Sequence, residues 1–232
     1  MAVATNKIDE LIQQAEKALT KNHFFEAERL ASKALILARH DALFSKMATS
    51  LEPLCKARAK RLEQALKAKS VSIIDEAFPD DVKIKPGCYL VQPPLVGADA
   101  RRFRLIAFEN EIPVAVVCRE PLTQLKQCPI VALCGNVVVR TKVDPPDDLD
   151  KPDVKWLKEA LEELGDWAIQ SADTSIAIHR LVDEFIARLD AIPEHEVLHQ
   201  ALRDICLQAE QELGDGGAAP PIPKRSRSKA QS

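Results

Sequence analysis

Two stretches with a helical spacing of apolar residues flank a middle region that is punctuated by proline. Ten of the 15 prolines lie between Pro79 and Pro152, where they separate short runs rich in valine. Because proline cannot donate the interior hydrogen bond of a helix, long helices are disfavoured in this region and short strands are favoured. The sequence therefore predicts an α+β fold, with helices at both ends of the chain and a small sheet between them.

Residues 1–69 are predicted to be a helical segment. Apolar residues recur at helical spacing from Ile8 to Leu19 and again from Ala27 to Ala38, which indicates two helices joined by a short polar turn. A third helical stretch follows from Asp41, and Pro53 is predicted to break it. The basic residues beyond this break predict a solvated helix face: Lys56, Arg58, Lys60, Arg61 and Lys67.

The first hairpin, over roughly residues 6–39, has an aromatic residue after its turn and small residues where its two helices cross. The residues that carry this pattern are Ala15, Asn22, Phe24, Ala27, Leu30, Ala31, Ala34 and Leu35. In these features it resembles one unit of a tetratricopeptide repeat. The resemblance implies a closely packed helix–turn–helix in a protein that binds other proteins.

The middle region, residues 70–150, is predicted to contain four strands and one crossing helix. The predicted strands are Cys88–Gln92, Val114–Cys118, Ile130–Cys134 and Val137–Val143. Gly135 and Asn136 alone separate the last two, and glycine at the first central position suits a two-residue hairpin turn. Residues 97–110 are predicted to be the helix, with Asp99 as its cap, although Phe103–Phe108 also fits a strand. The unbroken apolar run of the second strand indicates a strand covered on both faces.

Residues 151–214 are predicted to form an antiparallel helical pair. A first helical segment is predicted to end at Gly165 in a left-handed cap, and a longer helix follows from Ile169 to Leu189. Pro193 is predicted to occupy the first turn of the last helix. The remaining residues, 215–232, combine small residues, proline and basic residues, and they are predicted to be a disordered basic tail.

Charge and composition limit the partners that the sequence favours. The formal net charge is −3, and residues 215–232 carry four basic residues and one acidic residue, so the preceding residues carry −6. Nucleic-acid binding is therefore not expected, except weakly through the tail. No apolar run of about 18 residues is present, which predicts no membrane partner. Six cysteines in a chain whose first residues do not resemble a secretion signal favour a cytoplasmic protein with reduced thiols.

One literal catalytic motif is present, the sequence H-E-V-L-H that begins at His195. In this pattern two histidines four residues apart bind zinc, and the glutamate activates a water molecule. One alternative is therefore a zinc-dependent hydrolase, with His195 and His199 as metal ligands and Glu196 as the base. The competing interpretation is a histidine–carboxylate pair, in which Asp183 or Glu184 of the preceding helix faces His199.

Three functional hypotheses follow from the sequence. The leading one is a non-enzymatic protein–protein interaction or scaffold protein that uses its helical surfaces and needs no cofactor. The second is the zinc-dependent hydrolase. The third is a small-anion or ligand-binding module at the turn from Pro94 to Asp99, because this turn leads into a predicted helix N-terminus whose backbone N–H groups can hold an anion.

Overall fold

Helices occupy both ends of the chain and a five-stranded sheet lies between them in the computed structural model, which describes residues 2–216 with side chains from Thr5. The helices are α1 (Ala2–Thr20), α2 (Phe24–His40), α3 (Phe44–Ala65), α4 (Gly97–Glu109), α5 (Val154–Gln170), α6 (Ile178–Ala191) and α7 (Glu196–Leu213). The strands are β1 (Val71–Ile74), β2 (Gly87–Val91), β3 (Val114–Arg119), β4 (Cys128–Cys134) and β5 (Val137–Val143). The predicted α+β fold is confirmed.

The first two helices form a closely packed hairpin. Ala15 on α1 and Ala27, Ala31 and Ala34 on α2 have no exposed surface, and such small side chains let neighbouring helix backbones approach each other. Asn22 in the turn adopts a left-handed conformation with φ of 60°, which asparagine tolerates better than most residues. The helical hairpin is therefore present, whereas its resemblance to a tetratricopeptide unit stays a prediction.

The break predicted at Pro53 is wrong, because α3 continues through this residue over 22 residues. A proline inside a helix removes one backbone hydrogen bond and crowds the carbonyl of the preceding turn. Here Pro53 is buried, and α3 packs against both α2 and α7. Tertiary packing supplies most of the stability of helices in proteins, so it offsets the local cost of the proline.

The strands follow one another across the sheet in the order of the sequence, from β1 to β5. The pairs β1–β2 and β2–β3 are parallel, and the pairs β3–β4 and β4–β5 are antiparallel. Cys134 pairs with Val137 across the predicted two-residue turn, and Gly135 there has a φ of 58°. The hairpin is confirmed. Strand β1 is an addition that the sequence analysis did not predict.

Alternate residues of the strands face opposite sides of the sheet, as the two-residue period of a strand requires. On one face Leu90 and Val117 join the main core with the surrounding helices. On the other face Val91 and Val116 pack against α4, together with its residue Phe103. Both faces of the central strands are therefore covered, as predicted, and residues 97–109 form the crossing helix rather than a strand.

Three of the predicted helix boundaries in the last segment are wrong. Helix α5 runs through Gly165 to Gln170, so this glycine is not a cap. The predicted long helix is interrupted after α5, where Asp173 accepts hydrogen bonds from the backbone N–H and the hydroxyl of Ser175. Such a local bond offers the backbone an alternative to the helix. Pro193 lies before α7 instead of in its first turn.

Helix α3 connects the first helices to the rest of the fold. It packs against α1 and α2, against α7, and against strands β2 and β3. Asp215, which follows α7, accepts hydrogen bonds from the backbone N–H of Ser45 at 3.0 Å and from the hydroxyl of the same residue. The first part of the predicted tail is thus attached to α3, and residues 217–232 lie outside the described residues.

None of the helices within residues 2–216 combines the length and the hydropathy that are needed to cross a bilayer.

Candidate functional site

His195 lies at the N-terminal end of α7, where its imidazole serves as a helix cap. Its Nδ1 atom accepts a hydrogen bond from the backbone N–H of Leu198 at 3.2 Å, so the proton of the neutral ring is on Nε2. Nε2 is buried and lies 3.3 Å from Asp166 Oδ1 and 3.6 Å from Glu162 Oε2 on α5. The first histidine of the motif therefore has a structural role in starting the helix.

His199 is buried one turn further along α7. Its Nδ1 atom donates to the backbone oxygen of His195 at 2.9 Å, and its Nε2 atom lies 3.4 Å from Nη1 of Arg58. Burial, together with the charge of Arg58, lowers the pKa of His199 to about 3. The ring is therefore neutral near pH 7 and accepts a hydrogen bond from the guanidinium.

The predicted pairing of His199 with a carboxylate of the preceding helix is wrong. Asp183 binds Arg39 through two hydrogen bonds, of 2.6 and 2.8 Å, and Glu184 binds Arg188 within its own helix. A bidentate bond between arginine and a carboxylate is stronger than a bond to neutral imidazole, which explains why Asp183 turns towards α2.

The two histidines contact different parts of the fold through their Nε2 atoms, namely the α5 carboxylates and Arg58 of α3. Glu196 lies on the exposed side of α7. Within residues 2–216, no group of three or more His, Cys, Asp or Glu side chains is arranged to hold a metal ion. The zinc-dependent hydrolase stays a prediction, and this geometry favours the structural role of both rings.

We expect the purified protein to contain much less than one zinc per chain, because three of the four imidazole nitrogens are already in hydrogen bonds. Inductively coupled plasma mass spectrometry would measure the metal content. His40→Ala is the matched control, since the side chain of His40 is 82% exposed and lies outside the motif. About one equivalent of zinc that is lost in His199→Ala and kept in His40→Ala would instead support the hydrolase.

The turn from Pro94 to Asp99 leads into α4, as predicted. The carboxylate of Asp99 accepts a hydrogen bond from the backbone N–H of Val96 at 2.9 Å, so it occupies the positive end of the helix itself. Gly97 is packed closely, because a Cβ atom there would lie 3.1 Å from a side-chain carbon of Leu133. A second negative group is disfavoured beside Asp99, and this turn is a poor location for an anion.

A cleft of about 520 Å³ lies between α2, α3, α4 and the connection from α6 to α7. We call it the arginine cleft, because six basic side chains line it: Arg29, Lys33, Arg58, Arg61, Arg101 and Arg104. The lining contains two acidic residues, Glu28 and Asp190, which leaves a formal charge of +4. Glu111 and Glu194 lie outside the lining but pair with Arg29 and Arg104. When these two carboxylates are included, the formal charge of the cleft is +2. The residues before the tail carry −6, so the positive charge is local.

Glu28 holds two of these arginines from the interior of the protein. Its carboxylate accepts a hydrogen bond from Nε of Arg58 at 2.9 Å and another from Nη1 of Arg61. All three side chains are less than a tenth exposed. Burial raises the pKa of the Glu28 carboxyl, but the two guanidiniums outweigh it and hold this pKa below its usual value. The floor of the cleft is therefore a buried ionic triad.

Aromatic rings position the guanidinium of Arg61. Its central carbon lies 4.5 Å from the centre of the Phe25 ring and 5.0 Å from the centre of the Phe108 ring, distances at which a cation attracts the face of a ring. Its Nε atom is buried and has no hydrogen-bond partner among the described residues. Arg61 thus joins α3 to α2 and α4 on one side of the cleft.

Arg101 and Arg104 approach the cleft from α4. Arg104 donates to the backbone oxygens of Ala191 at 2.8 Å and Asp190 at 2.9 Å, and it lies 3.8 Å from Glu194. Burial and the nearby guanidiniums lower the pKa of Arg104, although Glu194 acts in the opposite sense. Arg101 forms no hydrogen bond or ion pair with residues 5–216. Glu194 and Asp190 offset part of the positive charge in this part of the cleft, because Glu194 lies beside Arg104 and Asp190 interacts electrostatically with Arg101 and Arg104.

Sequence reasoning missed this site, and for Arg58 and Arg61 it was wrong. The basic residues from Lys56 to Lys67 were expected on one solvated face, whereas the three lysines are exposed and the two arginines are buried. The available signal was the spacing of Arg58 and Arg61, because residues three apart share a helix face with the buried positions. Arg101 and Arg104 share the same spacing on α4.

No protein-family model matches the chain, and no curated protein or solved structure matches it.

Proposed function

We propose that the protein is a non-enzymatic binding protein whose ligand is anionic and occupies the arginine cleft. The observation that supports this most directly is the guanidinium of Arg101, which forms no hydrogen bond or ion pair within residues 5–216 and lies next to Arg104. Placing like charges together opposes folding, and an anion in the cleft would relieve that repulsion. The proposal keeps the interaction or scaffold hypothesis, because acidic side chains of a partner protein are one source of such an anion.

The dimensions and the walls of the cleft suit a bound ligand. Its volume lies within the range of about 300 to 1,000 Å³ that is typical of small-molecule sites. Part of the wall is apolar and is formed by Leu37, Leu105 and Phe108. Fewer water molecules then compete with a ligand for hydrogen bonds to the charged side chains. Guanidinium groups recognise phosphate and carboxylate through paired hydrogen bonds, so both kinds of anion fit this chemistry.

Isothermal titration calorimetry with methyl phosphate at low ionic strength tests the proposal. We expect binding that weakens with added salt, and we expect Arg101→Gln to reduce the affinity by about 10- to 100-fold, as loss of a charge-assisted hydrogen bond does. Arg101 makes no structural hydrogen bond with the described residues, so this variant should fold normally.

Arg102→Gln is the matched control for this titration. Arg102 is the neighbouring residue on α4, but it binds Asp80 at 3.0 Å and the backbone of Phe78 and does not line the cleft. We expect it to leave the affinity for methyl phosphate unchanged. Equal losses in the two variants, or no binding of methyl phosphate to the wild-type protein, would contradict the proposal.

A further inference from the structure

A second cavity, of about 270 Å³, adjoins the arginine cleft on the α6 side of α2. The two cavities share four lining residues, namely Ser32, Ile36, Arg58 and Asp190. We call the second cavity the apolar groove. Any ligand that fills the arginine cleft therefore lies next to this groove, and a longer ligand can extend into it.

Apolar atoms form most of the wall of the apolar groove, and five of its ten lining residues are aliphatic. Leu35 of α2 and Leu54 of α3 line it together with Ile186 and Leu189 of α6. Ile36, at the border of the two cavities, is 67% exposed, whereas the neighbouring Leu35 is buried and Leu37 is half-buried. An exposed apolar side chain that continues into a concave apolar wall is typical of a ligand-binding groove.

Most polar groups of the apolar groove already have partners within the protein or lie at its border. His40 binds Asp41, and Ser32 and Asp190 also line the arginine cleft. Arg39 is held by both carboxylate oxygens of Asp183, and Arg58 is held by Glu28 and His199. A peptide backbone placed there would bury N–H and carbonyl groups with few partners, which is costly. An aliphatic chain has no such requirement, so the groove favours a hydrocarbon over a peptide segment.

We infer that the arginine cleft and the apolar groove together hold one amphipathic anion, with its charged head at Arg101 and Arg104 and its aliphatic chain along α2 past Ile36. This inference rests on the proposed function and names its ligand class. The head is a phosphate or a carboxylate, and the chain is a linear hydrocarbon, as in a fatty acid or an alkyl phosphate. The two cavities together remain within the size range of small-ligand sites.

Calorimetric titration with methyl, butyl and octyl phosphate, each below its micellar concentration, tests the inference. We expect the affinity to rise by about fourfold for each methylene that enters the groove, which corresponds to about 0.8 kcal/mol of apolar transfer free energy. Octanoate, measured beside octyl phosphate, distinguishes a carboxylate head from a phosphate head. We expect Arg101→Gln to weaken all three phosphates by the same factor.

Ile36→Gln tests the hydrocarbon part of the ligand. The exposed position tolerates a polar side chain, so the variant should fold, and we expect it to reduce the gain in affinity per methylene. Val197→Gln is the matched control, because Val197 is 49% exposed on α7 and lies outside both cavities. We expect this control to retain the full dependence on chain length.

The outcomes distinguish failure of the inference from failure of the proposed function. Equal affinity for methyl and octyl phosphate would overturn the amphipathic ligand and leave anion binding intact. Absence of methyl phosphate binding, or octyl phosphate binding that Arg101→Gln does not weaken, would overturn the proposed function. A hexaglutamate peptide that binds as tightly as octyl phosphate would overturn the inference in favour of an acidic segment of a partner protein.

Discussion

Replacing Glu28 with alanine is expected to lower the free energy of unfolding by about 3–5 kcal/mol, the usual cost of removing one partner from a buried ionic group. The substitution leaves Arg58 and Arg61 buried without their shared carboxylate. These two cations would then repel each other, and they also lose the hydrogen bonds that satisfied their donors. Urea denaturation, followed by circular dichroism, measures the change.

Glu26→Ala is the matched control on the same helix. Its carboxylate is 60% exposed and pairs only with His23 among the described residues, so we expect a change of less than about 0.5 kcal/mol. Glu28→Gln keeps the shape of the side chain but removes its charge, and its effect should lie between those of the two alanine variants. Equal stability of Glu28→Ala and Glu26→Ala would show that the triad does not stabilise the fold.

Replacing Gly165 with alanine is expected to cost about 3 kcal/mol, although alanine in a helix interior normally stabilises it by up to about 1 kcal/mol. A Cβ atom on Gly165 would lie 2.1 Å from Cγ of His195 and 2.3 Å from its Cδ2 atom. The ring is 2% exposed and cannot move into solvent without losing its bond to Leu198. The added methyl group therefore displaces the cap of α7.

A double-mutant cycle isolates this contact. In a His195→Ala background the ring is absent, so adding Gly165→Ala should cost little or should stabilise the protein. Thermal denaturation of the two single variants and the double variant gives the coupling energy. If Gly165→Ala destabilises the protein equally in both backgrounds, the close approach of α5 and the His195 ring is not the cause.

The regular elements of this fold could be predicted because their residue patterns are local. The apolar spacing in α1 and α2, the run of valines in β3 and the Gly135 turn each depend on neighbours within a few positions. Helix α4 was also predicted from its apolar face, although its N-cap is Val96 and the predicted cap, Asp99, lies in the first turn. These signals specify an element, but they contain little information on which distant element covers it.

The errors occurred where distant packing or local side-chain bonds decided the structure. Proline disrupts an isolated helix, but packing against α2 and α7 stabilises α3 on both sides of Pro53 in the sequence. Strand β1 spans only Val71–Ile74 and depends on its pairing with β2. Gly165 was read as a helix end because glycine often occurs there, whereas its actual role is to admit a ring from another helix.

The candidate site was harder to predict from the sequence than the fold was. The lining arginines come from three helices, and Glu28 contacts Arg58 and Arg61 across 30 and 33 positions of sequence. By contrast, the motif that was evident in the sequence turned out to combine a helix cap at His195 with a buried ring at His199. A short motif identifies residue types, but the fold determines what their polar atoms contact.

Helix α3 connects the arginine cleft to the outer helices, because it supplies Arg58 and Arg61 to the cleft and also packs against α1, α2 and α7. A protein partner that bound the outer helices and shifted α3 would also shift the charged floor of the cleft. Binding at the two places would then be linked by one coupling free energy. Since such coupling is reciprocal, an anion in the cleft would change the affinity for that partner by the same factor.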